Sequence, residues 1–98
     1  MGSQIEWSVS TNRARIKVTY FSQAREYAGV SEENFALKIP ASLSDLLNVV
    51  IGTHPELSSI RGSLHFIVNG AEGNESTAAK TRLGDGDEVA ILVPVVGG

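Results

Sequence analysis

The chain has 98 residues, a formal net charge of −3 and no cysteine, which is enough sequence for one core and too little for two. The lack of any thiol removes disulfides, thiolate metal sites, iron–sulfur clusters and thiol nucleophiles together. With 42% hydrophobic and 19% charged residues it suits a soluble folded domain, and lysines and arginines scattered along the chain supply no electrostatic footprint for nucleic acid.

Residues 1–13 mix Ser, Asn, Thr and Gln around Trp7 and read as a flexible N-terminal extension, with residues 14–98 as the folded domain. From Arg15 the pattern alternates, with Ile16, Val18 and Tyr20 on one face and Lys17 and Thr19 on the other, which predicts a strand. Ser22 to Gly29 suits a turn or a single helical turn. Phe35, Leu37 and Ile39 then alternate with polar or small neighbours up to Pro40, giving a second strand in a hairpin with the first.

Leu43, Leu46, Leu47, Val50 and Ile51 fall at i, i+3, i+4, i+7 and i+8, the apolar stripe of an amphipathic helix. Ser42 with Asp45 makes a capping arrangement at its start, while Gly52 and Pro55 mark its exit. Leu64, Phe66 and Val68 predict a third strand that ends at Asn69-Gly70, and residues 70–80 read as exposed loop. A short strand near Thr81-Arg82-Leu83 is weakly signalled. After the turn Gly84-Asp85-Gly86-Asp87, the segment Glu88–Val93 is apolar on both faces, as expected of a central strand. A central C-terminal strand beside the first, with one helix crossing the sheet, is an α+β, β-grasp arrangement: a mixed sheet covered by one main helix.

Few side chains are grouped for chemistry. Gly73 to Thr81 ends like a phosphate loop, but Ala79 stands where the second glycine is needed. Asn74-Glu75-Ser76 is a glycosylation acceptor only in a secreted chain. Asp85, Asp87 and Glu88 read as a solvated turn and do not fit a calcium loop. His54 adjoins the end of the helix, where a positive charge is favourable, His65 lies far away in sequence, and no serine has a nucleophile-elbow pattern. A metal site and a resident catalytic centre are therefore not expected. No run approaches the ~20 apolar residues that cross a bilayer, and the polar start Met1–Ser10 lacks a signal peptide's apolar segment. The expected location is the cytoplasm, with proteins rather than nucleic acid or membrane as partners.

The last residues differ from the rest. Pro94-Val95-Val96-Gly97-Gly98 follows the final strand directly, so a rigid element runs into a short tail. Glycine has no Cβ, which lets such a tail enter a channel too narrow for side chains. A carboxylate is a poor electrophile until one oxygen becomes a leaving group, as ATP-dependent adenylation accomplishes. An inert terminus is an equally weighted reading of these residues alone.

Three segments together, Tyr20 to Gly29, Leu83 to Ala90 and Pro94 to Gly98, resemble the molybdopterin synthase small-subunit family of ubiquitin-like sulfur carriers, over residues 15–98. The resemblance implies that an activating adenylyltransferase uses ATP on Gly98, that a sulfur donor protein converts the adenylate to a thiocarboxylate, and that the tail enters the large synthase subunit. There the sulfur goes to cyclic pyranopterin monophosphate to build a dithiolene. It implies that Gly98 holds the sulfur and Gly97 supplies clearance, with Val96, Val95 and Pro94 as the rest of the tail. Catalytic side chains and the pterin pocket then belong to the partners, and no cofactor is permanently bound. Separately, the last strand is apolar on both faces, so that one serves the helix-covered core and the other, through Leu92 with Pro94 and Val95, is expected to contribute to a hydrophobic docking patch for a partner. The chain departs from the family in its extra residues 1–13 and in Leu92-Val93, where many relatives carry bulkier aromatic residues. Three alternatives stay open: a ubiquitin-like protein modifier or carrier for tRNA thiolation, a thiamin sulfur carrier, and a β-grasp binding module with an inert terminus.

Overall fold

The computed structural model describes residues 13–94, the side chain of Glu75 excepted. Strand β1 (Arg13–Tyr20) begins two residues before the alternation at Arg15 and takes in Arg13, the last residue assigned to the extension. Ala14, Ile16, Val18 and Tyr20 are buried, while Arg13, Arg15 and Lys17 point away from the core, the period-2 partition of a half-covered sheet. Helix α1 (Ser22–Ala28) has seven residues where a single turn was expected. Two features lengthen it: Ala24 and Ala28, one turn apart, are both buried, and Gly29 closes the helix at φ 78° with its N–H donating to the Arg25 carbonyl at 2.9 Å.

Strand β2 (Glu32–Lys38) pairs antiparallel with β1, as the hairpin reading expects. After the two-residue strand β3 (Ala41–Ser42), helix α2 (Leu43–Thr53) buries Leu43, Leu46, Leu47 and Val50, with Ile51 half-buried against the same core. Its start is a full capping box: the Asp45 N–H donates to Ser42 Oγ at 3.1 Å and the Ser42 N–H to Asp45 Oδ2 at 2.9 Å. The exit lies beyond Gly52, which stays helical. The turn away from the axis comes at His54, and Pro55 opens a 3-10 segment, Pro55–Ser63, that anchors itself by burying Leu57.

Strand β4 (His65–Val68) is followed by β5 (Ala71–Asn74) and the one-turn helix α3 (Glu75–Ala78), where the sequence reads as loop. Asn69 and Gly70 take φ of 50° and 88°, a pair of left-handed residues that folds β5 back onto β4 as a tight hairpin. The polar segment Ala-Glu-Gly-Asn can form a strand because β5 lies at the sheet edge and contributes no apolar face. Asn74 caps α3 by accepting the Thr77 N–H at 3.2 Å, and Ala78 closes onto the core. Strand β6 (Arg82–Leu83) pairs with β3 in a separate two-stranded ladder.

Strand β7 (Glu88–Leu92) completes the main sheet, whose order is β2-β1-β7-β4-β5. It runs parallel to β1 and antiparallel to β4, so it is central and adjacent to the first strand, as its two apolar faces predict. Helix α2 is the main cover of one face. This is the β-grasp architecture, α+β with a mixed sheet.

Candidate functional site

The site follows from how β7 sits in the sheet. Val89 and Ile91 point into the core, whereas Glu88, Ala90 and Leu92 point to the face that α2 does not cover. Leu92 is half-buried there, and the chain leaves the sheet at Val93 and Pro94, also half-buried. Val95, Val96, Gly97 and Gly98 lie outside the described residues.

The register brings residues of three strands together around Ala90. Thr19 of β1 and Ile67 of β4 flank it on either side, and the next step along β7 sets Leu92 opposite His65. Phe21 donates its N–H to the Ile91 carbonyl at 2.9 Å and joins Thr19, Ile67, Asn69, Gly70, Glu88, Val89 and Ala90 around a shallow recess of about 450 Å³. Phe21 and Ile67 remain 50% and 37% exposed. An aromatic ring and an aliphatic side chain left open around a partly covered strand make an apolar patch with a recess, the kind of surface that a protein partner covers. Sequence reasoning singled out Leu92 but not Phe21, Thr19 or Ile67. The missed signal is parity: each of these residues is one step out of phase with a buried neighbour.

The exit of β7 is held by the corner between β1 and α1. The Ser22 hydroxyl accepts the Val93 N–H at 3.4 Å and donates to the Val93 carbonyl at 3.1 Å. Ser22 itself sits at φ 50°, in the left-handed region that most side chains avoid. One side chain thus grips both backbone groups of the residue before Pro94 and fixes where the tail departs. Nothing in the sequence around Ser22 announces this, because the contact joins residues 71 positions apart.

The remaining polar groups are structural. Tyr20, buried at the end of β1, donates its hydroxyl to Glu33 Oε2 at 2.6 Å, and His54 Nε2 contacts the same oxygen. The Tyr20 and His54 rings meet edge-on with centroids 5.8 Å apart. Burial first, then the hydrogen bond and charge of Glu33, push the Tyr20 hydroxyl well above the ordinary tyrosine range. The triad pins the end of α2 to the β1–β2 hairpin, in keeping with the structural role expected of His54. In the β6–β7 turn, Asp85 Oδ1 accepts the Arg15 N–H at 2.8 Å and Asp87 Oδ2 the Gly84 N–H at 2.7 Å, so both carboxylates are spent on backbone donors. Among the described residues no three acidic or imidazole side chains group as a metal site, and no helix is long and apolar enough to cross a membrane.

Known proteins are similar to this chain in sequence and fold. The molybdopterin synthase sulfur carrier subunit of Chlamydomonas reinhardtii is 43% identical over 84 residues, covering 86% of this chain and 99% of that one. A putative molybdopterin converting factor, subunit 1, from Pyrococcus furiosus superposes with a TM-score of 0.72 at 29% identity, over 84% of this chain and 99% of that one. A chain of the complex of subunits 1 and 2 of molybdopterin-converting factor from Helicobacter pylori gives a TM-score of 0.56 at 26% identity, over 86% and 99%. The family model described as the ThiS family matches residues 18–98, from the middle of β1 through the last glycine, and the chain belongs to that family.

Proposed function

We propose that the chain is the sulfur carrier subunit of a molybdopterin synthase and works through its C-terminus. The observation that carries the reading is the family match, which runs through Gly98. The likeness to sulfur carrier subunits supports the assignment to molybdopterin synthesis. The Helicobacter pylori complex supports a large synthase subunit as partner.

In this reading a carboxylate oxygen of Gly98 attacks the α-phosphate of ATP on an adenylyltransferase, and pyrophosphate leaves. Hydrosulfide-level sulfur delivered by a donor protein then attacks the acyl carbon of the adenylate, the C–O bond to phosphate breaks, AMP leaves and a thiocarboxylate remains. This chain contributes position. Strand β7 is paired on both sides at the centre of the sheet, Ser22 holds Val93, and the apolar patch around Ala90 and Leu92 seats the partner that receives the tail. Gly97 adds no side chain on the way in. The acid–base groups and the pterin pocket belong to the partners.

The test is adenylation and thiocarboxylation of the purified chain by its cognate activating enzyme, read by intact mass. Deleting Gly98 withdraws the carboxylate by about 3.3–3.6 Å, and misplacement by ~1 Å already costs ~100-fold, so product is lost. Gly97→Val keeps length and carboxylate but blocks a narrow passage, and is also expected to fail. Wild-type product from both variants, with circular dichroism unchanged, overturns the carrier reading. Leu92→Asp is expected to weaken binding to the large subunit more than it weakens the fold. Isopeptide conjugates in cells without a complex with the large subunit would instead mark a protein modifier.

A further inference from the structure

The face that carries the apolar patch changes character along β1. Thr19 and Phe21 lie at one end, and Arg13 and Arg15 at the other. The register sets Arg13 directly opposite Lys38 of β2, with Arg15 opposite Ala36. Two like charges facing each other across a ladder are unfavourable. Arg13, Arg15 and Lys38 make no ion pair among the described residues, whereas Lys17, the next residue on this face, reaches Glu32 at 3.8 Å.

Asp85 stands beside Arg15 with its Oδ1 committed to the Arg15 N–H, and Asp87 and Glu88 share a neighbouring recess with Arg15 and Lys17. The acidic groups thus gather on the Lys17 side, and Arg13 and Lys38 face each other at the far end. Arg13 and Arg15 border a recess of about 480 Å³ that Ala36, Ile39, Leu83 and Asp85 also line. Ile39 is 41% exposed there. The chain as a whole is acidic, at −3, so this positive end stands against its overall charge.

We propose that this basic end receives an acidic segment of the same protein partner that covers the apolar end, an inference that rests on the carrier reading above. The dimensions suit one partner. Arg15 and Thr19 are four residues apart, about 13 Å along the strand. A standard interface of roughly 800 Å² per side is about 30 Å across and spans both ends. The division of labour is physical: screened, exposed charges govern encounter and orientation, and the desolvated apolar patch governs residence. The acidic segment meets Arg13, Arg15 and Lys38 first, and the tail is then aligned with its channel.

The test measures association and dissociation of the full chain with the large synthase subunit at about 0.02 M and about 0.3 M salt, where the screening length falls severalfold. Arg13→Glu/Arg15→Glu is expected to slow association on the order of tenfold at low salt and to flatten its salt dependence, with dissociation little changed. Leu92→Asp is expected to do the reverse, speeding dissociation and keeping the salt dependence. Both positions are exposed and position 13 gains an attraction to Lys38, so circular dichroism is expected unchanged. Arg13→Glu/Arg15→Gln, which sets no new carboxylate beside Asp85, is expected to slow association in the same direction and serves if the first variant is destabilised. If the variant associates like wild type while wild type binds, the basic-end inference is overturned and the carrier reading stands. If wild type does not bind the large subunit, both fall on the partner, and the Gly98 adenylation assay separately decides the carrier chemistry. Tighter capture of a single-stranded RNA decamer than of a decaglutamate peptide at Arg13 and Arg15 also overturns it, since the patch then serves nucleic acid.

Discussion

The two faces of the one sheet obey different rules. On the covered face, Ile16, Val18, Val89, Ile91 and Phe66 are all within 1% of full burial under α2 and its flanking segments, and the residue types follow from volume and hydrophobicity alone. On the open face, the same strands carry Arg13, Arg15 and Lys17, then Thr19, Ala90, Leu92 and Ile67. The first set holds the fold together. The second includes like charges in register and apolar side chains facing water, both of which cost the isolated domain something and gain meaning only when a partner is present. Stability and binding are therefore separable by strand parity, and mutations can be placed to affect one without the other.

The largest effect belongs to the covered face. Leu47 is 1% exposed in the middle of the α2 stripe, and Leu47→Ala leaves a cavity expected to cost about 2–5 kcal/mol, read as a lower urea midpoint. A near-zero change would show that α2 is not packed on the sheet as described.

Much of this face is legible without coordinates, because burial imprints a period on the sequence. The β1 alternation, the α2 stripe with its Ser42–Asp45 cap, and the two apolar faces of β7 each lead to the observed element, and β7 beside β1 leads to the β-grasp order. Elements that bury little leave no such imprint. Strand β5 is polar because it is an edge, and α3 is four residues long. Length also escaped in α1, where the signal is two alanines and a terminal glycine rather than a long apolar stripe. Of the candidate site, the sequence singles out Leu92 and Pro94 by their position at the end of a strand apolar on both faces. Phe21, Ile67 and the Ser22 clamp are not singled out, since they depend on which strands become neighbours.

Tyr20 joins the two faces' logic at the edge of the core. Tyr20→Phe keeps the packing and removes a hydrogen bond to a carboxylate, a change expected to cost about 1.5–3 kcal/mol near neutrality, and less to the extent that His54 still satisfies Glu33. The pH dependence has a defined sign. The folded-state value of Tyr20 is raised above that of the unfolded chain, so its contribution is complete below the unfolded tyrosine value of about 10 and is lost as pH rises beyond it. Denaturant midpoints from about pH 8 to 11 are therefore expected to show wild type declining towards Tyr20→Phe. A constant gap across that range would remove the buried-phenol account.

Ser22 tests whether the exit of β7 is held separately from the sheet. Ser22→Ala deletes both hydrogen bonds to Val93, at a cost of about 0.5–1.5 kcal/mol for partly exposed neutral bonds. Exchange of the Val93 amide should speed up, while the buried Ile91, one step inside the ladder, keeps its protection. Equal acceleration at both residues would mean that the end of β7 frays as a unit and that Ser22 directs nothing.

The smallest effect runs in the opposite direction and is the sharpest separation of the two faces. Arg13 and Lys38 are exposed, directly paired across β1 and β2, and alike in charge. Arg13→Glu converts that repulsion to attraction, so it is expected to stabilise the isolated chain by roughly 0.2–1 kcal/mol, with the gain shrinking as salt is added. The same substitution removes one of the cations assigned to an acidic partner, so stability rises while association slows. Thermal unfolding at low and high salt, set beside association rates for the same protein, reads both quantities. A variant that gains stability and loses association speed shows a surface held away from its own optimum by the needs of binding. A variant that loses stability would mean that Arg13 has a favourable role within the fold, and the like-charge pair would no longer point to a missing partner.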